Sequence, residues 1–138
     1  MLYNNYVSEI LNRGSKRGHM ADWLFNKTGL AQLILDGDYI RNAHGSVVGW
    51  IKGENMYSLG GRHIGWFDDG VIYDSNNCAL AFIHTRTGSL PSVPGLSGTP
   101  GMPGFSGVPG CPGFSGTPGK PGRGGWSKHS ADEYFNAQ

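Results

Sequence analysis

From residue 24 to residue 84, apolar and polar positions recur with a period of sixteen. Gly29, Gly45, Gly61 and Asn77 fall in one column, and Leu33, Gly49, Gly65 and Ala81 in a second. Ile34, Trp50, Trp66 and Phe82 form a third, followed by Leu35, Ile51, Phe67 and Ile83. At the far end of the unit stand Leu24, Ile40, Met56 and Ile72, then Phe25, Arg41, Tyr57 and Tyr73. Each unit is an apolar run, a turn signal, a shorter apolar run and a second turn. Asp36-Gly37, Lys52-Gly53 and Asp69-Gly70 suit tight hairpin turns that need positive φ, the third displaced by one residue. Sixteen residues are too few for a βαβ crossover. The pattern therefore predicts an all-β domain over residues 23–88, built of four short antiparallel hairpins about a pseudo-four-fold axis. Glycine inside a strand weakens it unless something approaches the backbone closely. We therefore expect the aromatics at 50, 66 and 82 to pack over the glycines of neighbouring units.

A second period follows. Glycine occupies every third position from Gly95 to Gly125, and Pro100, Pro103, Pro109, Pro112, Pro118 and Pro121 fill the last place of six triplets. A nine-residue superperiod lies on top, GLSGTPGMP, GFSGVPGCP and GFSGTPGKP. Glycine every third residue with frequent proline is a collagen-like signal for polyproline II. With three residues per turn, glycine owns one face, and Leu96, Thr99, Met102, Phe105, Val108, Cys111 and Phe114 own another. An apolar stripe beside a bare backbone predicts association. The residues expected to carry it are Leu96, Gly101, Met102, Phe105, Gly107, Val108 and Phe114, in a homo-oligomer that is a trimer or a higher assembly. Docking of the tract on its own domain is the competing expectation.

The flanks are simpler. Tyr6, Val7, Ile10 and Leu11 have helical spacing and Gly14 offers a C-cap, so residues 1–22 read as a short helix and linker. Residues 89–125 form the tract. Residues 126–138 end in a helical turn, with Ser130 as N-cap and Glu133 as its capping-box partner.

Composition sharpens this division. Glycine supplies 24 of 138 residues, and the tract that holds half of them cannot bury a core of its own. Net charge is +1, which gives no electrostatic footprint for nucleic acid. Two cysteines, Cys78 and Cys111, make neither a disulfide framework nor a zinc spacing. No apolar run is long enough to span a membrane, and no signal peptide is readable at the start. The expected location is the cytoplasm or an assembled particle or fibre.

At Gly60-Gly-Arg-His-Ile-Gly-Trp-Phe-Asp-Asp-Gly-Val-Ile-Tyr-Asp74 the chain closely resembles the bacterial four-fold beta flower proteins. The resemblance covers about residues 23–84, with Gly-His-Ile-Gly-Trp-Phe its most specific stretch. It extends to the Trp126-Ser127 pair near the end, whereas the Gly-Xaa-Pro triplets depart from the family's glycine-poor tails. It implies the fold and brings no activity, cofactor or catalytic residue.

The chemistry-bearing residues point the same way. His19, His44, His63, His84 and His129 lack metal-ligand spacing, and His63 beside Trp66 reads as a packing residue. Asp36, Asp38, Asp68, Asp69 and Asp74 sit at turns, where turn chemistry accounts for them. No nucleophile motif, phosphate loop or cofactor signature occurs, so no catalytic, metal or cofactor-binding residue is assigned. The expectation is a non-enzymatic structural or assembly protein. The alternative is a ligand- or cell-wall-binding module, in which Trp50, Trp66, Tyr57 and Tyr73 stack on a glycan or another small molecule between hairpins.

Overall fold

The computed structural model describes residues 21–138. The helix expected near the N-terminus lies outside them. Eight strands follow in order: β1 (Ala21–Phe25), β2 (Ala31–Asp36), β3 (Tyr39–Asn42), β4 (Val47–Lys52), β5 (Asn55–Ser58), β6 (His63–Asp68), β7 (Val71–Tyr73) and β8 (Ala79–Phe82). Each pairs antiparallel with its sequence neighbour, and β8 closes on β1 to complete a barrel.

Strand registers repeat with the sequence. Bulges fall between Leu24 and Phe25, Ile40 and Arg41, Met56 and Tyr57, and Ile72 and Tyr73. A bulge inserts one residue and sharpens the local twist, so the same bend recurs every sixteen residues. Asp36 opposes Tyr39, Lys52 opposes Asn55, and Asp68 opposes Val71. The two-residue turns are therefore Gly37-Asp38, Gly53-Glu54 and Asp69-Gly70. This corrects the displaced third turn, because the register has not moved. Asp69 takes the glycine's place at φ 51°, next to φ 59° for Gly37 and 63° for Gly53. A short polar side chain tolerates that conformation better than most.

The loops at the opposite end share one design. The backbone amides of Asn26, Asn42, Ser58 and Asp74 donate to the carbonyls of Leu30, Ser46, Arg62 and Cys78. Their side-chain oxygens accept amides of the same loops. Gly29, Gly45, Gly61 and Asn77 supply the positive φ each loop needs. Asp74 is thus a turn residue, as its position in the sequence suggested.

Inside the barrel lie Leu24, Leu33, Ile40, Ile51, Met56, Ile64, Ile72, Leu80 and Ala81, with Leu35, Phe67 and Ile83 packed against them. Strand alternation sends Ile34, Trp50, Trp66 and Phe82 to the outside. The expected packing of these aromatics over the glycine column is therefore corrected. Gly49 and Gly65 face inward, where a side chain has no room. A Cβ on Gly49 would lie 2.8 Å from the Phe135 ring, and one on Gly65 would strike the Tyr73 carbonyl.

Phe135 belongs to α1 (Ala131–Asn136), which lies across the end of the barrel that carries the four loops. Ala131, Tyr134 and Phe135 join the interior cluster. The Tyr134 hydroxyl donates to the Ile64 carbonyl and accepts the Ser75 amide. The capping box is corrected too. Ser130 precedes the helix, but its hydroxyl donates to Asp132 and accepts no helix amide; the Asp132 carboxylate accepts the Glu133 amide instead. Glu133 faces solvent.

Candidate functional site

Both sets of residues singled out in the sequence, the barrel aromatics and the tract's apolar stripe, meet on the outside of the barrel. The tract passes the four loops in chain order. Ser97 donates its amide to Gly29 at 2.9 Å, Ser106 to Gly45 at 3.2 Å, Ser115 to Gly61 at 2.9 Å and Gly124 to Asn77 at 3.0 Å. Donors nine residues apart thus meet acceptors sixteen residues apart. The two periods of the sequence are the two sides of one seam. Backbone groups that have no partners within an extended tract find them here on the same chain. At these four stations the tract docks on its own domain, the competing expectation of the sequence.

Close approach explains the barrel glycines a second time. A Cβ on Gly29, Gly45 or Gly61 would collide with the carbonyl oxygen of Gly95, Gly104 or Gly113. Hydroxyls reinforce the stations. Ser97 and Ser106 donate to the same carbonyls as their amides, and Ser115 Oγ accepts the His63 amide at 2.9 Å.

At the second, third and fourth stations the residue just before the tract amide meets Arg41, Tyr57 and Tyr73. The Arg41 guanidinium lies 4.4 Å over the Phe105 ring. Phe114 stacks on Tyr57 with centroids 4.4 Å apart and meets Trp50 edge-on. Arg123 lies 4.0 Å over the Tyr73 ring and donates to its hydroxyl. Cation and ring change sides between the second station and the fourth. Arg41, which breaks the aromatic column of the barrel, is answered by Phe105. Arg123, which breaks the phenylalanine column of the tract, is answered by Tyr73. Arg41 is buried, and it donates through Nε to Asp36 at 2.8 Å and through Nη1 to the carbonyls of Gly45 and Ser106.

The tract ends by sealing the barrel's weakest edge. β8 and β1 share a single registered pair, Phe25 with Phe82. Beside it, Ala79 donates to Gly125 and accepts from Ser127 in a parallel bridge to Trp126. The Ser127 hydroxyl donates to the buried Asp74 carboxylate at 2.6 Å, and Lys27 donates to the Ser127 carbonyl.

The four candidate ligand-binding aromatics, Trp50, Trp66, Tyr57 and Tyr73, are each at most 5% exposed. Trp50 donates to the Leu59 carbonyl, and Lys120 lies over the Trp66 ring. The tract occupies the faces a sugar would use. Of the candidate assembly residues, Phe114 is half-buried in the seam. Leu96, Met102, Phe105 and Val108 remain about two-fifths exposed, and Gly101 and Gly107 face open space.

Chemistry-bearing groups are dispersed. His63 contacts Asn55 Oδ1 at 3.0 Å, and burial pushes its pKa down. Burial and the nearby Asp74 push the Cys78 thiol up, away from the thiolate that a nucleophile needs. Among the described residues, no three His, Cys, Asp or Glu side chains are grouped to hold a metal.

The closed all-β barrel with its C-terminal elements defines the class. The family model of the 4-fold beta flower protein matches residues 22–135, and the chain belongs to that family. The match runs beyond the strands through the tract and into α1. No curated protein and no solved structure matches the chain.

Proposed function

We propose that this protein is a non-enzymatic structural module that self-associates through its Gly-rich tail. In this reading the tract is a polyproline II strap, the barrel's four hairpins stand about a pseudo-four-fold axis, and the strap is displayed around them. One observation carries the proposal. All eleven glycines from Gly95 to Gly125 at three-residue spacing would meet nothing within 4 Å if given a Cβ. Docking on the barrel therefore makes no demand for glycine at these places. A backbone bare at every third residue is what a second chain needs for close approach. Leu96, Met102, Phe105 and Val108, half in water along the same strap, supply the apolar area.

A three-chain collagen helix is not part of this reading, since a strap bonded to its own barrel at four stations is not free to wind with two others. The ligand-binding alternative would require the strap to lift from Trp50, Tyr57, Trp66 and Tyr73. Saturable quenching of tryptophan fluorescence by choline or a glucan would favour it.

Sedimentation equilibrium tests the proposal. Wild-type chain should form a multiple of the 14.8 kDa protomer, Gly107→Val should shift it toward the protomer, and Thr99→Ala should not. A monomeric wild type, or an oligomer indifferent to Gly107→Val, overturns it.

A further inference from the structure

The loop end of the barrel carries a second feature that neither the assembly reading nor the family match uses. Between α1 and the loops before β6 and β8 lies a cleft of about 550 Å³, within the size range of small-molecule sites. Arg62, His63, Lys128 and His129 line it, with Glu133 as the only carboxylate side chain in that lining. The repeat breaks at this place. Where Arg62-His63 stands, the other units have Leu30-Ala31, Ser46-Val47 and Cys78-Ala79. The other three units place uncharged residues at these two positions, so Arg62 and His63 are not requirements of the fold. The tail then brings Lys128 and His129 to that unit.

The charges are also unspent. Among the described residues the ion pairs are Arg41 with Asp36 and Arg123 with Asp68. Arg62 donates only to the neutral Gln138 side chain. Tyr134 also lines the cleft; its hydroxyl proton is committed to the Ile64 carbonyl, and its ring packs against His129 with centroids 5.1 Å apart. Guanidinium and ammonium groups beside an aromatic ring suit an oxyanion on a small organic body.

We infer that this cleft binds a small anionic metabolite through a carboxylate or phosphate group held by Arg62 and Lys128. Calorimetric titration of the full chain with citrate and with glucose 6-phosphate, at about physiological ionic strength, tests it, with glucose as the uncharged control. At least one anion should bind and glucose should not. The double variant Arg62→Ser/His63→Val, which restores the residues of the second unit, should weaken binding at least tenfold. Glu133→Gln, which removes the one lining carboxylate side chain from an exposed position, should tighten it severalfold. Absence of binding by both anions at millimolar concentration, equal binding of glucose, or affinity unmoved in the double variant overturns the inference. Sedimentation of the double variant should match wild type, which separates this site from the assembly surface.

Discussion

Replacing Gly61 with alanine isolates the contribution of one docking station. Gly61 has φ 96°, and its added Cβ would collide with the Gly113 carbonyl. Gly53 is the control, with φ 63° and nothing within 4 Å of an added Cβ. Both substitutions carry the cost of a left-handed conformation for an L-residue, about 1–2 kcal/mol. Gly61→Ala must also push the strap away at the third station. That sacrifices the Ser115–Gly61 and Ser115–His63 hydrogen bonds, each about 0.5–1.5 kcal/mol net. It also loosens the Phe114–Tyr57 stack, worth about 0.5–1.5 kcal/mol. The expected destabilisation is thus about 2.5–6.5 kcal/mol for Gly61→Ala against about 1–2 kcal/mol for Gly53→Ala. Urea unfolding gives the totals. Cleavage within residues 105–120 by a broad-specificity protease under native conditions should accelerate in Gly61→Ala only. Equal destabilisation of the two variants, with unchanged cleavage, would refute the argument that the loop glycines exist for the strap.

Other stations are equally open to test. Arg41→Ala should cost about 2–3 kcal/mol, because it leaves two carbonyls and Asp36 without their charged donor; urea midpoints report it, and a loss below about 0.5 kcal/mol would show the pair to be incidental. Ser127→Ala should cost about 1.5–3 kcal/mol by removing a hydrogen bond to the buried Asp74 carboxylate, detectable as a lower melting temperature and faster exchange of the Ala79 amide. His63 gives a pH dependence of known sign. Burial lowers its folded pKa below the ordinary 6.5, so the unfolded chain takes up the proton first. Its stabilising contribution is present above that pH and is lost as pH falls through the window below it. His63→Val should therefore flatten the fall in urea midpoint between about pH 7.5 and 5.5, and an unchanged slope would exonerate His63.

Much of the barrel was legible because strands and turns obey local rules. The columns Leu24/Ile40/Met56/Ile72 and Leu35/Ile51/Phe67/Ile83 were readable as equivalent; five of the eight residues belong to the interior cluster, and Leu35, Phe67 and Ile83 pack against it. The glycine column at 49 and 65 was noticed but placed on the wrong face, since alternation alone does not say which face is inside. What fills the space beside Gly49 is Phe135, eighty-six residues away, and no local pattern announces it. Docking of the tract on its own domain was the competing expectation, but the register of the seam was missed for a related reason. The two periods, sixteen and nine, were read separately because they differ. Their common factor is the count. Gly95-Leu96-Ser97, Gly104-Phe105-Ser106, Gly113-Phe114-Ser115 and Gly122-Arg123-Gly124 make four copies for four loops. The exchanged breaks at Arg41 and Arg123 were a second signal in plain sight. Anion-cleft residues were visible only as an irregularity at Arg62-His63, which acquires meaning once α1 brings Lys128 and His129 beside it.

Hydrogen exchange of the tract amides in the full chain tests the docking of the strap most directly. The account predicts slow exchange at Ser97, Ser106, Ser115 and Gly124, nine residues apart, within a tract whose other amides exchange fast. Uniformly fast exchange from 95 to 124 would make the tract a free linker. Protection recurring in every triplet, as a three-chain helix with glycines at its crowded axis requires, would equally contradict a strap bound to its own barrel.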